Sequence, residues 1–266
     1  TAAQLFVDPE FSIKPAYHKV LAGWDVSIKT GAITQENLDE WAQINTANLI
    51  QQSGITVTPE MKLVLQNAIT FAAKWQEDFR QGGVLDDDFT RADGTVTRVE
   101  MMGSVRHAPY TVSDGWRGVR LDYTDRELAA FVLIPDDDTE QAPLTTLRQV
   151  VTQLCRPNET MGRVAVELPR FTVTSEKELF ELFDCIGLET NTQLKAMTDP
   201  PVMLTQAMQQ AIIVVDERGT VVSAVTSGGM ETGVSFYTEK PIEIIANRPF
   251  YFIVGDVETG TPLFLS

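Results

Sequence analysis

Few side chains in this chain are suited to catalysis. His18 and His107 are its two histidines, and Cys155 and Cys185 its two cysteines. Neither histidine has a partner at zinc-ligand spacing. The cysteines lack C-x-x-C spacing, so neither a redox pair nor a metal site follows from them. They read as packed thiols, with a single disulfide left open. The G-x-S-x-G elbow, the P-loop and G-x-G-x-x-G are all absent. The expectation is therefore a protein that is not an enzyme and needs no cofactor or metal. Asn158-Glu159-Thr160 matches a glycosylation acceptor, a triplet common by chance.

Charge narrows the partners. The 266 residues carry a formal net charge of -16. Such an excess argues against nucleic acid, whose phosphates call for Lys and Arg, and against an anionic membrane surface. Asp86-Asp87-Asp88 and Asp136-Asp137-Asp138 are expected to be solvated loops. No run of apolar residues is long enough for a membrane helix. At 43% hydrophobic and 22% charged, the composition is that of a soluble globular chain with ample core material.

The stretch that stands out is Asp216-Glu217-Arg218-Gly219-Thr220. An apolar strand, Ala211–Val215, runs into it. The small, β-prone, proline-free segment 221–226 follows. Two such segments joined by Glu-Arg-Gly would ordinarily form a hairpin. Here a long loop comes next, to Lys240, of a length that suits function better than connection.

The remaining elements give that stretch a setting. Ile13–Trp24 has helical spacing, with Ala16, Val20 and Trp24 four apart. Thr34 precedes a polar helix through Leu49. Met61–Ala72 is the clearest strand, with Leu63, Leu65, Asn67, Ile69 and Phe71 on one face. Asn67 on the apolar side must find a partner. Thr95–Met102 reads as a strand, and Val119–Tyr123 with Leu128–Ile134 as a hairpin. Leu144, Leu147, Val151 and Leu154 mark an amphipathic helix. Val164–Val173 is a strand interrupted by Pro169. Ser175 and Glu178 form a capping box for a helix ending at Gly187. Leu204–Val215, Ile242–Ala246, Phe250–Val254 and Leu263–Leu265 complete the strands. Without regular βαβ alternation, the class is α+β, with large antiparallel or mixed sheets in a single domain over 1–266.

Several segments, in order, resemble the serpin family of serine protease inhibitors. Asn67-Ala68-Ile69 through Trp75 resembles the family's third strand of sheet A. Val99-Glu100-Met101-Met102 resembles its Val-x-Met-Met, and Leu168-Pro169-Arg170-Phe171 its Leu-Pro-Lys/Arg-Phe. Glu217-Arg218-Gly219-Thr220 is similar to the hinge signature Glu-x-Gly-Thr, and Arg248-Pro249-Phe250-Tyr251-Phe252 to Arg-Pro-Phe-x-Phe.

The resemblance implies the serpin fold, a large sheet A plus sheets B and C with surrounding helices. It also implies amino-terminal truncation, because the family's first helices have no counterpart. The reactive-centre loop would span about 217–240. A serine protease would cleave it, and the loop's first half would insert into sheet A as a strand. Thr220, Val222, Ala224 and Thr226 would then share one face. Glu217, Gly219, Thr220, Val222 and Ala224 form the hinge. Glu217 would pair with Arg170 above Trp75, in the family's breach. Asn67 matches the shutter asparagine, and Gln209 stands where the family has histidine. Counting at the family's spacing from both ends brackets the scissile bond between Gly233 and Thr238, with Phe236 and Tyr237 the candidates. Those aromatics favour a chymotrypsin-, subtilisin- or elastase-like target over a trypsin-like one. A monomeric, extracellular inhibitor is expected. A non-inhibitory binding or structural protein, or a degenerate fragment, is the alternative, favoured by Val222, Gln209 and the missing helices.

Overall fold

The computed structural model describes residues 1–79, 84–113, 115–136, 143–155, 159–189, 193–220 and 240–266. Its first elements are β1 (Ala2–Val7), α1 (Pro15–Gly23), β2 (Val26–Thr30), α2 (Gln35–Asn45), β3 (Leu63–Thr70) and β4 (Ala73–Lys74). Then come β5 (Val84–Thr90), β6 (Val96–Ser113), β7 (Trp116–Asp122), β8 (Leu128–Pro135), α3 (Leu144–Leu154), β9 (Thr160–Pro169) and β10 (Phe171–Glu178). The chain continues through α4 (Phe180–Cys185), β11 (Ala207–Asp216), β12 (Gly219–Thr220), β13 (Ile242–Ile245), β14 (Tyr251–Asp256) and β15 (Pro262–Leu265). Residues 1–71 with 173–213 form one compact unit, and 72–172 with 214–266 another.

The first unit is built on a mixed sheet. β1 lies parallel to β2 and antiparallel to β3, and β11 runs parallel to β3. Gln4, Leu5, Phe6 and Val7 are buried in succession, which requires cover on both faces. Leu5, Val7 and Leu63 pack with Ile13, Met197 and Val202. Phe6 and Val64 pack with Leu38, Ile55 and Met61. Helix α2 starts as expected, with the Thr34 hydroxyl accepting from the Asn37 N–H at 3.2 Å. Leu38 and Ala42, four apart, are its buried residues. Between the strands runs a buried amide row: Gln66 donates to Gln4 and accepts from Ser53.

Helix α1 forms where the spacing predicts one, and two expectations about α4 fail. Ala16, Val20 and Trp24 face outward, with Trp24 78% exposed. Tyr17 and Leu21, also four apart, meet the core instead. The predicted capping box is absent: Ser175 and Glu178 lie in β10, and α4 begins after Leu179, where the Glu178 carboxylate accepts from the Phe180 N–H at 3.1 Å. Pairing of β10 with β11 outweighs that local signal. The predicted stripe of α4 is not buried either, and Ile186 is exposed.

The second unit holds a sheet in the order β13-β9-β6-β7-β8-β14-β15, with β5 also on β6. Ala129 to Ile134 of β8 are buried without a break, because α3 covers one face. Leu147, Val150, Val151 and Leu154 of that helix pack on Phe131, Leu133 and Ile253. Leu144 is exposed, contrary to the predicted stripe. The buried Arg120 ties β7 to the helix end. Its Nη1 donates to the Leu154 carbonyl at 2.8 Å and to Glu159, and its Nε to Asp122. Strand β6 is far longer than the predicted 95–102, continuing through Pro109 to Ser113. Asp86, Asp87 and Asp88 are exposed but belong to β5, paired with β6, rather than to a loop. Arg98 opposite answers the charge at Asp88.

Candidate functional site

The predicted hinge is folded by its own side chains. At the end of β11, Asp216 Oδ1 accepts from the N–H groups of Arg218 and Gly219 at 2.8 and 3.1 Å. This Asx turn reverses the chain. Gly219 and Thr220 then pair antiparallel with Asp216 and Val215. On their other side they pair antiparallel with Lys74 and Ala73 of β4. The two residues therefore form a short middle strand, β12. Only glycine fits its first position: a Cβ on Gly219 would overlap the Ala73 carbonyl oxygen and lie 2.8 Å from Lys74 Cα.

Beneath this strand is an aromatic platform. Trp75 is buried, and its indole N–H donates to the Asp216 carbonyl at 2.9 Å. It stacks on Tyr123 at a centroid distance of 4.7 Å, and Phe79 meets it edge-on. The Tyr123 hydroxyl lies 2.8 Å from Thr220 Oγ1, both side chains being fully buried. Burial pushes the Tyr123 phenol well above the ordinary tyrosine value, and the Thr220 bond opposes this only in part. Backbone bonds add to the grip: the Trp75 N–H donates to the Arg218 carbonyl and the Phe79 N–H to the Glu217 carbonyl.

Arg170 occupies the single residue between β9 and β10, after Pro169. Its Nη2 is 2.7 Å from Glu217 Oε2, and its Nε donates to the same oxygen. Nη1 donates to Glu100. Burial works against the guanidinium charge, but the bonds and charges of Glu217 and Glu100 outweigh it and raise the Arg170 pKa. The fork-shaped donor set suits this double engagement better than a lysine would.

The other predicted pair lies in the first unit. Asn67 and Gln209 face each other in the parallel register of β3 and β11. Asn67 is half-buried, and its Nδ2 donates to the Ala2 carbonyl at 3.2 Å. Val222, Ala224, Phe236 and Tyr237 fall outside the described residues. Sequence reasoning missed Asp216, Tyr123 and Glu100. Asp216 had a readable signal, an aspartate two residues ahead of Arg218 and three ahead of Gly219. Tyr123 and Glu100 had none, since only the fold brings them to the hinge. Among the described residues no group of three His, Cys, Asp or Glu could hold a metal ion, and no helix is long and apolar enough to cross a membrane.

The chain belongs to the serpin family: the profile described as "Serpin (serine protease inhibitor)" matches residues 1–266. A serpin-like protein of Methanosarcina mazei is 24% identical, over 96% of this chain and 61% of its own length. Serpin-Z4 of Arabidopsis thaliana is 24% identical over 100% of this chain and 74% of its own, and chicken (Gallus gallus) neuroserpin 27% over 91% and 62%. The chain thus spans about three-fifths to three-quarters of these relatives. Among solved structures, the thermophilic serpin tengpin in its native state superposes with a TM-score of 0.79 at 20% identity, over 99% of this chain and 71% of that one. Human thyroxine-binding globulin gives 0.80 at 19%, over 99% and 73%. The fold is the serpin fold.

Proposed function

We propose that this chain inhibits a serine-type endopeptidase as a suicide substrate, through insertion of its loop, and is not itself an enzyme. The observation that carries the reading is β12. Gly219 and Thr220 already lie as a middle strand between β11 and β4, the position from which a longer strand would grow. Loop insertion of this family is itself a standard example of strand addition to a sheet and of conformational switching. The target's serine attacks the scissile bond next to Phe236 or Tyr237 and becomes acylated. Residues beyond Thr220, Val222 and Ala224 among them, then enter the sheet, and the strained acyl-enzyme fails to hydrolyse. Arg170 and Trp75 steady the hinge, while Asn67 and Gln209 lie at the strand pair that must part. The aromatic candidates favour chymotrypsin-, subtilisin- or elastase-like targets. The protein acts as an extracellular monomer.

The test is to mix the chain with chymotrypsin, subtilisin, elastase and trypsin and resolve the products by SDS electrophoresis. The expected result is an SDS-stable complex with at least one of the first three. Loop cleavage with no complex and no rise in Tm would sink the proposal and favour a non-inhibitory role. In Arg170→Ala the ratio of cleaved to complexed product should rise. An unchanged ratio removes Arg170 from the mechanism.

A further inference from the structure

Arg106 of β6 is nine-tenths buried, yet its guanidinium is incompletely satisfied. Nε donates to Ser104 Oγ at 2.8 Å and Nη1 to the Glu77 carbonyl at 2.8 Å. The group lies over the Phe79 ring at 4.4 Å. Nη2 has no partner, and it is the only such buried side-chain nitrogen or oxygen among the described residues. Buried guanidinium N–H groups are rarely left unpaired, because water has been given up with nothing in exchange. Burial lowers the Arg106 pKa, though Glu77 and Asp78 oppose the shift.

Arg106 also forms part of the wall of a cavity of about 410 Å³ within the second unit. Gln76, Glu77, Arg126, Pro109 and Met161 line it as well. Arg120 and Asp122 contribute to the same wall, but they are bonded to each other. Of the lining carboxylates Glu77 alone is left to Arg106 and Arg126, with Asp78 acting on Arg106 from outside the wall, in a chain whose net charge is strongly negative. The volume lies in the range of small-molecule sites, which typically combine apolar walls with a few charged anchors.

We infer that this cavity binds a small organic anion, a phosphate or carboxylate, its head on Arg106 and Arg126 and its apolar body against Pro109 and Met161. The site is distinct from the hinge, though both draw on one segment: Trp75 and Phe79 bond the hinge backbone, while Gln76 and Glu77 line the cavity. The inference does not depend on protease inhibition.

Isothermal calorimetry at constant ionic strength tests it, with phenyl phosphate, benzoate and inorganic phosphate as titrants and chloride as control. Saturable one-site binding of phenyl phosphate or benzoate is expected, and the tighter of the two identifies the head group. The tighter of the two should bind at least tenfold more tightly than inorganic phosphate. Arg106→Met should weaken binding tenfold or more. Because that variant also loses the Ser104 and Glu77 bonds and could misfold, Met161→Trp provides a second test by filling the opposite wall with Arg106 intact. It should abolish binding while leaving Tm unchanged. Heats no larger than those of the chloride control, or equal affinity in the wild type and Met161→Trp, overturn the inference.

Discussion

The hinge support in the second unit and the Asn67–Gln209 pair in the first were predicted from motifs of the same kind. Physically they differ. Around Gly219 and Thr220 each backbone approach is backed by a buried aromatic, a charge-assisted bond or a contact that tolerates no Cβ. Around Asn67 there is one side-chain bond of 3.2 Å in a half-buried setting. A motif match places a residue in a fold. How firmly its neighbours hold it follows from burial and bonding.

Substitutions should separate the two regions. Trp75→Ala removes the stack on Tyr123 and the bond to Asp216, and should cost about 3–5 kcal/mol in urea unfolding. Hydrogen exchange at the Gly219 and Thr220 amides should accelerate along with it; retained protection there would break the claim that the platform holds the hinge. Gly219→Ala should cost roughly 1–3 kcal/mol, since backbone must move to admit the methyl group. Here the sharper reading is limited proteolysis, with cleavage next to residue 220 expected to increase. Tyr123→Phe should cost about 1 kcal/mol through the lost Thr220 bond. The folded phenol keeps its proton where the unfolded chain releases it. Wild-type stability should therefore decline as pH rises past the ordinary tyrosine value near 10. The Phe variant should lack that part of the decline, and equal slopes in the two proteins would refute the burial of the phenol. Asn67→Ala should have the smallest effect, under about 1 kcal/mol. A loss as large as that of Gly219→Ala would erase the contrast between the regions.

Much of the hinge was legible from spacing. Glu217, Gly219 and Thr220 sit at fixed offsets, and Arg170 follows a Leu-Pro pair that ends a strand. Tyr123 was not legible because its role depends on two chain segments meeting over Trp75. Strand existence was well signalled by alternation, but extent was not. Pro109 argues against a central strand, yet β6 runs through it, opposite Met161 of β9. The capping signal at Thr34 held, but the one at Ser175 did not, because a sheet partner offers the backbone more bonds than a cap can. Gln66 and Gln4 escaped notice for the opposite reason: polar residues in a strand suggest a wet face, and here they satisfy each other under cover.

The length of β6 has a consequence for how the second unit comes apart. At the usual rise its 18 residues extend roughly 60 Å. Along that span it is in register with β5, then β9, then β7. The three registers overlap only at Met101, Met102 and Tyr110, so one continuous strand links neighbours that otherwise pair with separate stretches of it. Native-state amide exchange across all four strands should therefore report one common opening energy, as a single cooperative block, while the short β12 exchanges by a separate and easier opening.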